Sequence, residues 1–186
     1  MLKAKQITTI SVLLVLFSVV GFFYWEDQKA IRTLNEGLPE GVRIEKKLIG
    51  NYKIINDISD YWFELPNVWK GIEEIKYLTE RESKGYKFSS INVKGKDIED
   101  KVVAIIKFES KPDIDLITQA NLFFEAFELD GNFIENKVKN INTAISKNNL
   151  GLMGIDASFF QKENYTYLIT CGSEDFIEEI IINGTW

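Results

Sequence analysis

The chain has 186 residues, a net charge of −6, one cysteine and no histidine. The missing histidine excludes Ser-His-Asp and Cys-His nucleophilic catalysis, which need imidazole as general base, and every histidine-ligated zinc, copper or iron site. The lone Cys171 excludes an intramolecular disulfide, and a free cysteine of this kind is expected to be a small buried apolar residue.

The first element is a charge-free run over residues 7–25, opening on Ile7 and closing on Trp25. At 1.5 Å rise per residue it spans about 28 Å as a helix, close to the hydrocarbon thickness of a bilayer. Lys3 and Lys5 precede it, and Glu26 and Asp27 follow at once. A cleaved signal peptide needs small residues at its end, whereas this run ends Gly21-Phe22-Phe23-Tyr24-Trp25. A lipoprotein signal needs a cysteine closing the run, and a pilin needs an acidic residue near its start; neither occurs. The expectation is an uncleaved signal anchor, a single N-terminal transmembrane helix within residues 1–25 that contacts the membrane through residues 7–25. Tyr24 and Trp25 would sit at the far interface, and Lys3 and Lys5 would stay in the cytoplasm. The rest of the chain would then be the extracytoplasmic part of a single-pass cell-membrane protein.

Residues 26–40 read as a juxtamembrane stalk. Its polar helix over 26–38 is stopped by Gly37 and Pro39, and its apolar stripe, Ala30, Ile31 and Leu34, is too short for a coiled coil. Beyond residue 25 the chain holds 20 of the 22 basic residues and all 28 acidic ones, a net −8. Such a surface repels nucleic acid, so no nucleic-acid partner is expected. The remaining length is enough for one domain with a proper core, assigned to residues 41–186. Frequent Ile, Lys and Asn fit an AT-rich bacterial genome.

Within the domain, strands are expected over 53–55, 61–65, 75–79, 87–93 and 101–108, with Pro66 ending the second. Turns fall at Asn56-Asp57 and Gly95-Lys96-Asp97, and the 101–108 strand is the most apolar and expected to be central. A helix over 113–129 follows, with Asp113 as N-cap and Gly131 as terminator. Leu116, Ile117, Ala120, Phe123, Phe124 and Phe127 fall on one face. That stripe packs on a sheet or, alternatively, lines a ligand groove. Strands over 138–145, 150–160 and 165–171 come next, joined by hairpin loops at Asn148-Asn149 and Glu163-Asn164. Ser173 caps a last helix running to Ile181, with Ile177, Ile180 and Ile181 turned inward. Successive hairpins imply an α+β fold, an antiparallel β-sheet covered by helices.

Two segments carry a resemblance. An aromatic strand runs into proline and then tryptophan, Tyr61-Trp62-Phe63-Glu64-Leu65-Pro66-Asn67-Val68-Trp69. A late strand, Tyr165-Thr166-Tyr167-Leu168-Ile169-Thr170, precedes a helix and a final apolar segment, Ile180-Ile181-Ile182-Asn183-Gly184-Thr185-Trp186. Together they make residues 50–186 resemble PsbP-like domains. The resemblance implies an antiparallel sheet between helices in a sandwich, and action by binding a partner rather than by catalysis. The histidines linked to metal binding in the photosynthetic member have no counterpart, so no functional residue carries over.

Carboxylates are the only abundant groups with chemical potential. Glu73-Glu74, Glu174-Asp175 and Glu178-Glu179 are adjacent pairs, and neighbours on a helix point about 100° apart, so they make no two-carboxylate acid–base site. Lys96-Asp97-Ile98-Glu99-Asp100 lacks calcium-loop spacing, and there is no phosphate-binding glycine loop. Asn164-Tyr165-Thr166 and Asn183-Gly184-Thr185 match the glycosylation pattern, which a bacterial source would leave idle. No catalytic, cofactor-binding or metal-binding residue is assigned and no cofactor is expected. The sequence therefore reads as a non-enzymatic, membrane-anchored extracytoplasmic domain that binds a protein partner or supports an envelope complex. The alternative is a small-molecule or lipid-binding domain with an apolar pocket between the 113–129 helix and the sheet.

Overall fold

The computed structural model describes all residues except 1–3, 47–49, 67, 97–101 and 150–154; the side chains of residues 4–11, 16, 148 and 149 also lie outside the description. The chain divides into two compact units, Met1–Gly37 and Leu38–Trp186.

The first unit is one helix, α1 (Ala4–Glu36), continuous from the apolar run into the polar segment behind it. It stops where Gly37 and Pro39 were expected to stop it, Gly37 N donating to Leu34 O at 3.2 Å. Among the described residues no helix is long and apolar enough to cross a membrane. The charge-free run lies only partly among residues with described side chains, which begin at Val12 and omit residue 16.

The second unit contains two antiparallel sheets where one was expected. The smaller has the order β1-β2-β3, built from β1 (Val42–Lys46), β2 (Tyr52–Asn56) and β3 (Tyr61–Glu64). The sequence reading missed β1. The larger has seven strands in the order β4-β5-β6-β10-β9-β8-β7. Its first meander is β4 (Ile72–Ser83), β5 (Tyr86–Gly95) and β6 (Val102–Glu109). Helix α2 (Leu116–Ala126) then carries the chain across one face to the far edge. The second meander, β7 (Ile134–Val138), β8 (Ile141–Asn149), β9 (Ile155–Lys162) and β10 (Tyr165–Cys171), walks back until β10 pairs with β6. Helix α3 (Glu174–Asn183) follows.

Several expectations are corrected. The centre of the large sheet is β10; β6, expected there, is its neighbour, because both are interior strands with apolar residues on both faces. The middle helix is shorter than 113–129. Its N-cap is Asp115, whose carboxylate accepts Thr118 N–H at 2.9 Å and Thr118 O–H at 2.6 Å, whereas Asp113 sits in the preceding turn at φ 65°. Of the 138–145 segment, Val138 closes β7, Lys139 at φ 54° and Asn140 make a turn that was not expected, and residues 141–145 belong to β8. Asn148 and Asn149 belong to β8, and the β8–β9 connection over 150–154 lies outside the described residues. Ser173 occupies the N-cap of α3 but makes no side-chain capping bond. The Glu163-Asn164 turn is where it was expected, with Glu163 at φ 56°.

Strand alternation gives the large sheet two inner faces. On one, Phe88, Phe108, Phe159 and Leu168 meet the buried Phe123 and Phe124 of α2. Phe123 stacks on Phe108 with ring centroids 4.8 Å apart, and Phe124 meets Phe133 edge-on at 4.8 Å. Gly131 is required beside this cluster, since a Cβ there would lie 2.7 Å from Phe124 Cδ1 and 2.5 Å from Phe133 Cε2. On the opposite face, Phe160 and Tyr167 of the large sheet, Tyr61 and Phe63 of the small one, and Trp186 form a second aromatic layer. Trp186 is held there by a short antiparallel bridge, Trp62 N donating to Thr185 O at 3.0 Å and Thr185 N to Trp62 O at 2.8 Å. The inner residues of α3, Ile177, Ile180 and Ile181, are buried as expected.

Candidate functional site

A cleft of about 860 Å³ opens beside the start of α2. Its walls are the first turn of α2, the β7–β8 hairpin and the end of β9. The register pairs Glu135 with Ala144 and Lys137 with Asn142, which puts Glu135, Lys137, Asn142 and Gln161 on the α2 side of the sheet. Leu116 and Ile117 supply the apolar part. The lining offers amides and both signs of charge, suited to hydrogen bonding with a polar ligand. Asp115 is committed to capping, and the bonds from Thr118 hold its carboxyl below the usual range. The sequence reading singled out none of the β7, β8 and β9 residues here. The available signal was the polar alternation through Glu135-Asn136-Lys137 and Asn140-Ile141-Asn142-Thr143.

A second cleft, of about 330 Å³, lies on the other face between Phe160, Ile181, Ile182 and Trp186, rimmed by Lys139 and Lys162. The space between α2 and the sheet, where an apolar pocket was the alternative expectation, is filled by the phenylalanine cluster.

One amine has the depressed basicity associated with chemistry. Half-buried Lys107 has its pKa lowered by burial, against which the nearby Asp60 and Glu163 act. Its Nζ donates to Ser59 O at 2.5 Å and lies 4.0 Å from the centre of the Tyr165 ring. The bond to Ser59 pins the β2–β3 turn to the large sheet, and the Tyr165 ring on neighbouring β10 steadies the amine. Beside it, burial raises the Tyr61 hydroxyl and pushes Tyr167 up to about 12. Cys171 is buried, as expected, and its thiol is pushed up to about 11 by desolvation, so it is no nucleophile at neutral pH.

The carboxylate pairs fall into separate structural roles. Glu73 pairs with half-buried Lys94 at 2.9 Å and Glu74 with Lys76 at 2.9 Å, the other three being exposed. Glu174 joins Lys147 of β8 and accepts from Asn136 of β7 at 3.4 Å, fastening the second meander to α3. The acids at 97, 99 and 100 lie outside the described residues. Among the described residues no three acidic or cysteine side chains gather as a metal ion would require. Buried polar groups on the α2 side form a closed relay: Gln119 Nε2 donates to Lys111 O at 3.1 Å, its Oε1 accepts from Thr166, and the Thr166 and Ser110 hydroxyls lie 2.9 Å apart.

No protein-family model, curated protein or solved structure matches this chain.

Proposed function

We propose that this chain is a membrane-tethered, extracytoplasmic, non-catalytic domain that binds a protein partner or supports an envelope complex. The observation that carries the tether is the environment of α1. Val12, Leu13, Leu14 and Val15 are all exposed, and four consecutive helical positions at about 100° per residue point to every side of the helix. Phe17, Val19, Val20, Phe22, Phe23 and Trp25 continue the apolar surface. A helix that is apolar all round is stable where lipid covers it. Ser18 Oγ donates to Leu14 O at 2.8 Å, which is how a polar side chain is satisfied without water. Lys29 Nζ lies 5.3 Å from the Trp25 ring centre, a pairing suited to the headgroup level.

The partner-binding half rests on chemistry that is spent elsewhere. Without histidine, and with Lys107, Asp115 and Glu174 engaged in clamping, capping and fastening, the domain offers surfaces in place of a reaction centre. The PsbP-like affinity of residues 50–186 belongs to the same proposal, supported by an antiparallel sheet with α2 on one face and α3 on the other. A small-molecule ligand is favoured by one observation, the cleft beside α2, whose mixed lining suits a polar ligand better than an acyl chain.

The orientation is tested by adding protease to intact spheroplasts. The domain should be digested from outside while the residues ahead of the anchor survive. Protection that persists until the cells are lysed would reverse the assignment.

A further inference from the structure

We infer that the chain pairs with a second copy of itself along the outer edge of β7, antiparallel and centred on Asn136. This inference needs only the β7 edge and does not depend on the tether.

β7 ends the seven-stranded sheet, with β8 on one side and no strand on the other among the described residues. The two-residue turn at Lys139 and Asn140 fixes which backbone groups face outward. Val138 and Ile141 flank that turn and are paired, and across a loop this short only the hydrogen-bonded type of antiparallel pair can form. Pair type alternates along a ladder, so Ile134, Asn136 and Val138 direct their N–H and C=O groups toward β8. Glu135 and Lys137 direct theirs away from the sheet. Both side chains are exposed, and neither residue has an ion pair or side-chain hydrogen bond among the described residues.

Only three registers let a copy of β7 bond to these outward groups. Centring on residue 135 sets Glu135 against the partner's Glu135, and centring on residue 137 sets Lys137 against the partner's Lys137. Centring on Asn136 sets Glu135 opposite the partner's Lys137 and, by the two-fold symmetry, Lys137 opposite the partner's Glu135. Each of these outer pairs exchanges both backbone N–H···O bonds and carries opposite charges on directly facing side chains. The same register brings Ile134, 57 % exposed, opposite the partner's Val138. An isologous contact of this kind closes on itself as a dimer. The rival role for such charges is protection of an edge against pairing, which would leave the chain monomeric.

The experiment measures association of the full chain in a mild detergent by sedimentation, with wild type, Glu135→Lys, Lys137→Glu and the double swap Glu135→Lys/Lys137→Glu. Wild type should dimerise. Each single variant sets like charges opposite at both symmetric pairs and should weaken association by at least about tenfold. The double swap restores complementarity and should restore the dimer. Separately, Asn136→Cys chains treated with copper phenanthroline should form a disulfide-linked dimer, because residue 136 faces its own copy at a Cα separation of about 4.5 Å. Ile134→Cys chains, which face residue 138, should not. A monomeric wild type, a dimer indifferent to Lys137→Glu, or a double swap that stays as weak as the singles would each overturn the inference.

Discussion

Helices α1 and α2 draw on the same residues and end in opposite surroundings. In α2, Phe123 and Phe124 are 3 % and 1 % exposed, locked between Phe108, Phe133 and Phe159. In α1, Phe17 and Phe23 are 72 % and 64 % exposed. The difference lies in pattern. The apolar residues of α2 recur at helical spacing on one face, so a sheet can cover them all, whereas those of α1 run consecutively and no single protein surface can. Burying a phenylalanine is worth about 1.5–3 kcal/mol, and α1 leaves that gain unrealised at Phe17, Phe22 and Phe23.

The largest effect that sharpens this contrast is truncation of one ring in each helix. Phe123→Ala should cost about 3–5 kcal/mol in denaturant unfolding of the domain and lower its melting point on the order of 10 °C. Phe23→Ala should leave the unfolding of the domain unchanged. An equal loss from both would erase the distinction between the helices.

Next in size is the second aromatic layer. Trp186→Ala removes a ring that stacks on Tyr61 at 5.7 Å and meets Phe160 at 5.1 Å, and should cost about 2–4 kcal/mol. Retention of wild-type stability would mean the C-terminal bridge holds the two sheets together without the ring.

Alkaline pH should destabilise the domain. The Cys171 thiol is pushed from about 9 to about 11 on folding, and the Tyr167 hydroxyl from about 10 to about 12. Groups raised in this way keep their full contribution below the unfolded value and lose it as pH climbs toward the folded one. Each therefore removes up to about 1.4 kcal/mol per pH unit, beginning near pH 9 for the thiol and near pH 10 for Tyr167. Tyr61 acts in the same direction. Lys107, whose pKa is lowered, opposes them, since it binds its proton more weakly folded than unfolded. Urea unfolding across this range should show falling stability, and Cys171→Ser should flatten the first part of the fall. A flat profile from pH 8 to 11 would contradict the burial of these groups.

The smallest effect separates two aspartates. Asp115→Ala should cost about 1 kcal/mol of cap, and Asp113→Asn, which tolerates the left-handed turn position, should change unfolding little. The reverse order would return the N-cap to Asp113.

These two aspartates also illustrate what could be read in advance. Composition and spacing gave the α+β class, the extent of the polar helix behind the apolar run, the buried faces of α2 and α3, the Glu163-Asn164 hairpin and the burial of Cys171. They missed the β7–β8 hairpin because its turn places Lys139, not glycine, in the left-handed region, so the chain there carries no glycine signal. They named the wrong cap because Pro112-Asp113 is a turn that precedes the helix, and both aspartates satisfy the pattern. They merged two sheets into one because alternation reports a strand's faces and not its neighbours. The cleft beside α2 was illegible for a related reason: its walls come from three elements far apart in sequence, and no single segment carries its signature.

The tether is tested most directly by mixing the full chain with lipid vesicles and spinning the mixture through a density gradient, beside a chain that begins at Leu38. The full chain should float with the vesicles and stay there after a high-salt wash, since the acidic domain has no electrostatic hold on lipid, while the shorter chain remains at the bottom. A full chain that stays at the bottom with the shorter one would contradict the account.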